Sequence, residues 1–173
     1  ATVAVPLDQP THAQIQLRKL PFGWLQGLLG TVWSGKATGG RIDALMALDQ
    51  RDPGLQASGQ FSLSSLGVDS TSGKLAAQGL GGSGRFSLDT TQGPARINLE
   101  STLRGGELLL GPVYATLPNH AVQLSMDAQA DAGALTIGRL RVGDPDALSL
   151  NGAMAFDAKG DLRSLNLSRL DLD

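Results

Sequence analysis

The chain has 173 residues, 14 Lys and Arg against 16 Asp and Glu, and a net charge of -2 at pH 7, which leaves no basic excess for the phosphate neutralisation that nucleic-acid binding needs. Aromatic residues make up 4% and charged residues 17%, against 23 glycines; large core-fillers are scarce, turn and bulge formers are plentiful, and the ordinary apolar content excludes disorder. Without cysteine, a disulfide scaffold, a Cys-ligated zinc site and a cysteine nucleophile are excluded.

Residues 1–10 carry Pro6 and Pro10, read as an irregular or edge segment, and lack the basic and apolar regions of a secretory signal. From His12 to Leu20, Ile15 and Leu17 alternate with Gln14, Gln16 and Arg18, which predicts a strand. Pro21 to Gly30 reads as a helix, near residues 21–29. Pro21 suits its first turn, Trp24, Leu25, Leu28 and Leu29 share a face, and Gly30 stops it. Such a helix plugs an open end of a sheet, or forms a flap over a greasy groove. The apolar run from Leu20 to Trp33 is about 14 residues, short of the roughly 20 that a membrane-spanning helix needs.

Strands follow. Thr31 to Thr38 is strand-like with a bulge at Gly35, and Arg41 to Gln50 is read as strand rather than helix. Arg51-Asp-Pro-Gly54 turns the chain into Leu55 to Leu63. Gly73 to Leu80 and Ser83 to Leu88 read as two strands separated by Gly81-Gly82, and the glycine-rich run Gly79–Gly84 around that break reads as a wide turn. Ala95 to Leu103, Glu107 to Leu110, Val113 to Leu117 and Ala121 to Ala128 come next, then two short strands at Leu135–Ile137 and Leu140–Val142. Ala147 to Asp157 has Leu148, Leu150, Met154 and Phe156 on one side and Ser149, Asn151 and Asp157 on the other. Leu162 to Leu172 closes the chain. The pattern predicts an all-β protein: roughly a dozen short, mostly antiparallel strands in a curved one-sided sheet forming a groove, open barrel or sandwich. Residues 1–173 read as one β-rich domain. The chain stops in mid-pattern at Leu170-Asp-Leu-Asp173, as a fragment of a longer repeating β-sheet protein would.

One hairpin design recurs. Gly84, Phe86, Leu88, Asp89, Ile97, Asn98 and Leu99 overlay without gaps on Gly152, Met154, Phe156, Asp157, Leu165, Asn166 and Leu167, as a repeated strand–turn–strand unit would; chance likeness between simple strands gives the same echo.

Chemistry is sparse. His12 and His120 have no motif around them, and His120 reads as a solvated loop histidine. Asp127, Asp131, Asp144, Asp146 and Asp157 read as turn and solvent-face carboxylates without calcium-loop spacing. No serine sits in a Gly-x-Ser-x-Gly elbow, and no helix follows the glycine run to hold a phosphate. The expectation is a non-enzymatic protein without metal or cofactor. What remains is the apolar face. A one-sided sheet must cover it. Closed as a sandwich, the reading that patterning favours, its residues are plain core. Left as a trough, Ile97, Leu99, Leu124, Met126, Leu150, Met154 and Phe156 line a groove for an apolar ligand, and small residues such as Ala57, Gly59, Ala128 and Gly152 leave room for it.

Leu20-Pro-Phe-Gly-Trp-Leu-Gln-Gly-Leu-Leu29, the following Gly-Thr-Val-Trp-Ser-Gly35, Gly106-Glu-Leu-Leu-Leu-Gly-Pro-Val-Tyr114 and Leu162-Arg-Ser-Leu-Asn-Leu-Ser-Arg-Leu-Asp-Leu172 resemble AsmA-like proteins of Gram-negative bacteria, the TamB-like and YdbH-type proteins among them. That resemblance implies a long taco-shaped or rod-like sheet bridging the periplasm, anchored in the inner membrane by an N-terminal helix. Its groove would carry phospholipid to the outer membrane, with the seven residues above as lining. It implies no catalytic residue. This chain has no such anchor and is too short to span an envelope, so it would be a segment pairing with neighbouring segments of the full-length protein or with envelope proteins. Gly30-Thr-Val-Trp-Ser-Gly-Lys-Ala37 is also similar to the opening of protein N of type II secretion systems, which implies an accessory β-domain acting in protein–protein interaction.

Overall fold

A computed structural model describes residues 2–4, 11–26, 35–71, 73–110, 113–145, 147–159 and 161–172. Twelve strands form one sheet: β1 (Thr2–Ala4), β2 (His12–Pro21), β3 (Lys36–Arg51), β4 (Gly54–Asp69), β5 (Leu75–Asp89), β6 (Ala95–Arg104), β7 (Glu107–Leu110), β8 (Val113–Thr116), β9 (Val122–Asp131), β10 (Ala134–Asp144), β11 (Leu148–Phe156) and β12 (Leu162–Leu172). The strand order is β1-β2-β3-β4-β5-β6-β9-β10-β11-β12, with β7 branching from β5 and β8 from β7. The described pairings are antiparallel. The two ends of that order, β1 and β12, do not pair, so the sheet is open. No helix among the described residues is long and apolar enough to cross a membrane.

Three strands are longer than the pattern indicates. β3 and β4 run 16 residues and β5 runs 15. The wide turn expected over Gly79–Gly84 does not exist: those glycines are strand residues, and Gly82 and Gly84 pair with Leu103 and Ser101. The two short strands at Leu135–Ile137 and Leu140–Val142 are likewise one, β10. The helix expected over Pro21–Gly30 is, as far as Gln26, a single 3-10 turn at Phe22–Leu25; Leu28, Leu29 and residues 31–34 lie outside the described residues. Pro21 is the last residue of β2, and the Gly23 that follows weakens any helix begun there. Phe22 and Leu25 pack on the sheet while Trp24 points to solvent.

These longer strands explain why simple alternation fails in places. Leu17 and Leu20, Leu63 and Leu66, Ala77 and Leu80, and Ile137 and Leu140 are three residues apart, which in a regular strand puts each pair on opposite faces. A register shift falls inside each interval. The extra residue of a bulge absorbs the odd position and returns the apolar side chains to one face. Lys19 and Ser65 hold φ of 48° and 51° within two of these intervals, and Gly79 holds 71° within a third. Gly40, at φ 100°, sits beside them at the Gly39/Arg41 shift. The bulges of β2, β3, β4 and β5 therefore form a crease across the sheet, beyond which β5 pairs with β7 instead of β6.

The sheet also rolls. Lys74, in the β4–β5 turn, and Asp161, in the β11–β12 turn, sit at opposite ends of the strands. Laid flat, five strand spacings and the length of β5 would part them by about 55 Å. Lys74 Nζ lies 3.5 Å from Asp161 Oδ1. A twist of about 20–25° per strand turns β12 roughly crosswise to β5, and the crease bends the longer strands further.

The echo between the two hairpins has a structural cause. Asp89 and Asp157 both follow an apolar strand and fold the turn behind it. Asp89 Oδ1 accepts bonds from Thr91 N (2.8 Å) and Thr91 Oγ1 (2.6 Å). Asp157 Oδ1 accepts from Lys159 N and Asp161 N, both at 2.9 Å, and its Oδ2 pairs with Arg163 at 2.7 Å. Both carboxyls are held below their ordinary value of 3.8, Asp89 first by the Thr91 hydroxyl and Asp157 first by the Asp161 amide. A depressed folded pKa contributes stability that is complete above the unfolded value and is lost as pH falls through the folded one. Stability is therefore expected to decline on acidification from about pH 4 downward. In Asp157→Asn, which keeps an acceptor oxygen but cannot titrate, part of that decline disappears. Urea midpoints taken between about pH 2 and 6 check this.

Candidate functional site

One face of the sheet is apolar almost from edge to edge, and the register shows how it is assembled. One row crosses Ile15, Met46, Gly59, Phe86, Leu99, Met126, Leu140 and Gly152. The next crosses Leu17, Ala44, Phe61, Gly84, Ser101, Leu124, Val142 and Leu150. Cross-strand partners share a face, so rows of this kind join eight strands into one surface.

Two clusters form on it. Around Ala128, Ile137, Leu140 and Met154 gather Ile97, Leu124, Met126, Leu150 and Phe156, together with Leu135, Val142, Leu162 and Leu165. Six of the seven residues expected to line a groove thus come together, and Leu99 lies in the same row, between Phe86 and Met126. The other cluster, Leu17, Ile42 and Ala44 with Phe61 and Leu63 beside them, sits near the opposite edge. It was missed as a site, as were Ile137, Leu140 and Leu165. The readable signal was there: an apolar residue three positions after the last marks a bulge rather than the end of a strand.

No second layer covers this face among the described residues. Val122, Leu80 and Ile137 are nevertheless buried, so the cover comes from the sheet rolling toward its apolar side. The cover is partial. Among the described residues, no large side chain is below 2% exposed. Of the seven expected lining residues Met154 alone is buried, at 8%, and the other six are half-buried. On β12 the leucines open to solvent: Leu167 is 45% and Leu170 50% exposed.

The small residues do not make room for a ligand as expected. Ala57 and Ala128 are buried beneath their neighbours. A Cβ on Gly59 would stand 2.5 Å from Leu45 O, and one on Gly152 2.7 Å from Asn166 O. These positions let adjacent strands approach closely, and the space along the face comes from the open edge instead. Polar groups interrupt the face: Asp144 is one, and Ser101 is another, buried with its Oγ lacking a hydrogen-bond partner among the described residues, a cost of about 1–3 kcal/mol for a neutral group.

The opposite face is polar and cross-braced. Arg85 pairs with Glu100, and Arg139 with Asp127. Each histidine meets one aspartate: His12 Nδ1 lies 2.6 Å from Asp49 Oδ1, and His120 Nε2 lies 2.8 and 2.9 Å from the two oxygens of Asp144. Asp144, expected at the solvent face, is instead buried on the apolar side, two residues after Val142 and in register with Leu148, and His120 is a paired loop residue rather than a freely solvated one. Among the described residues, no three His, Asp or Glu side chains gather as a metal site would require. Comparison with protein-family models, with curated proteins and with solved structures finds no match.

Proposed function

We propose that the chain is a non-catalytic segment of an AsmA-like, TamB-like protein of the periplasm, and that its apolar sheet face carries phospholipid between the inner and outer membranes. What supports this reading is one observation: an apolar face whose rows cross eight strands, on an open sheet, with large side chains that are mostly half-buried rather than enclosed. Acyl chains laid along it would each leave water with about 0.8 kcal/mol gained per buried CH2. Head groups would stay at the solvated edge. The mechanism is passive: a continuous greasy surface lets a chain slide without a specific contact to break. β12, with an unpaired edge and exposed leucines, is where a neighbouring segment or an envelope protein would extend the sheet.

The test is native mass spectrometry with lipid extraction on the chain purified from a bacterial periplasm. Phospholipid should co-purify. Leu167→Glu and Leu170→Glu, at the 45% and 50% exposed positions of β12 where a charge keeps its water, should retain the strand signature in circular dichroism yet lose about 90% of that lipid, a tenfold weakening. A chain that emerges without lipid, and captures an envelope protein instead, refutes the lipid reading and supports the secretion-accessory one.

A further inference from the structure

We propose that Lys74 and Asp161 form a salt-sensitive clasp that holds the rolled sheet shut, and that ligand enters and leaves by the parting of these two hairpin tips. The ligand half of this inference rests on the groove reading above; the clasp does not. The geometry points to a clasp in three ways. The pair joins the two halves of the sheet: the β4–β5 tip belongs to the half carrying the Leu17–Ile42–Ala44 cluster, and the β11–β12 tip to the half built around Met154. The other ion pairs described join adjacent strands, neighbouring loops or residues of one segment.

Both partners are presented beside hydrogen-bonded turn residues. In the first tip Ser70 N donates to Leu75 O (2.7 Å), Gly73 N to Ser70 O (2.9 Å) and Leu75 N to Ser70 Oγ (2.9 Å), which fixes the backbone on both sides of Lys74. In the second, Asp157 N donates to Asp161 O and Asp161 N to Asp157 Oδ1, both at 2.9 Å. Asp161 is thus tied to a turn that is itself fastened to Arg163. Its Oδ1 is shielded from solvent and, among the described residues, has no hydrogen-bond partner, and the Lys74 charge is what faces it.

The contact is also weak. The side chains are 60% and 36% exposed, and pairs this exposed hold a closed state over an open one by about fivefold at most, less in salt. A joint closed by so weak and screenable an ion pair can open without disturbing the ladder that carries the fold.

Because the chain has no cysteine, Thr71→Cys with Ala158→Cys gives one unique label pair, read by pulsed electron paramagnetic resonance. A single short distance is expected at low salt. A longer population should appear at about 1 M salt, where charges screen within about 3 Å, and in Lys74→Glu. The double exchange Lys74→Glu with Asp161→Lys should restore the short distance. An unchanged distribution in Lys74→Glu overturns the clasp. For the gate, Lys74→Cys and Asp161→Cys are joined by a short, reductively cleavable cross-linker. Uptake of fluorescent phosphatidylethanolamine from phosphatidylethanolamine–phosphatidylglycerol vesicles should fall about tenfold and recover on reduction. Undiminished uptake with the tips joined overturns the gate. If the unmodified chain takes up no phospholipid, the groove reading falls, and the distance measurement alone decides the clasp.

Discussion

Gly84→Val is expected to destabilise the protein by about 3 kcal/mol, while Gly138→Ala in the same sheet leaves stability within about 0.5 kcal/mol or raises it slightly. A glycine inside a strand normally weakens it, since its backbone loses more freedom on folding and it offers no side chain to pack. Adding a methyl group there should help. At Gly138 it finds nothing within 4 Å. At Gly84 the new Cβ would stand 2.4 Å from Glu100 O and 2.7 Å from Ser101 Cβ, and a backbone oxygen in a paired strand cannot step aside without breaking the ladder.

Aromatic residues sit beside this gap: Phe61 pairs with Gly84, and Phe86 with Gly59. Each ring covers the slot that the missing side chain leaves. Gly59 thus lets β4 close on β3 and Gly84 lets β5 close on β6, and a valine at Gly84 would push β6 away from β5. Urea unfolding of the two variants, read against the parent, decides this. Equal effects at the two positions would mean that the close approach at Gly84 contributes nothing.

Met154→Glu is expected to cost about 3–5 kcal/mol at neutral pH, and Leu170→Glu less than about 1 kcal/mol, although both side chains belong to the same apolar face. Met154 is 8% exposed, with Ile137 and Leu165 across the strands on either side. A carboxylate there would have no described cation to meet, and burial would force it to take up a proton or unfold its surroundings. Leu170 is 50% exposed, and a carboxylate there keeps its water. The contrast maps the face: closed by the roll around β10 and β11, open along β12. Thermal melts at neutral pH measure it. A similar loss at both positions would mean that the β12 face is covered in solution. Within the candidate site Met154 therefore acts mainly as core, and a ligand would meet Leu124, Leu150 and Phe156 more readily.

Much of this was legible in the residues. Strict alternation from Ile97 to Leu99, from Val122 to Met126 and from Leu148 to Phe156 set both the strands and the face they present, because a side chain's face follows from counting by two. The turns at Asp52-Pro-Gly54, Asp89 and Asp157 were equally local. Counting failed at Leu17–Leu20, Leu63–Leu66, Ala77–Leu80 and Ile137–Leu140, where a bulge adds a residue. It failed again at Gly79–Gly84, where glycines that read as a turn belong to one strand, bulged at Gly79, held by its neighbours.

By itself, then, the sequence determined the class of fold, the strand content and the identity of the apolar face. These depend on the period of the chain and on turn chemistry within a few residues. Only the tertiary structure decided that β3, β4 and β5 are long and continuous, and that a crease crosses them. It also decided that the sheet stays open and rolls until Lys74 meets Asp161. Those outcomes depend on accumulated twist, on bulges in register across neighbouring strands, and on glycines that admit a carbonyl from the next strand. Each is a sum over many residues distant in the chain, and no local pattern records a sum.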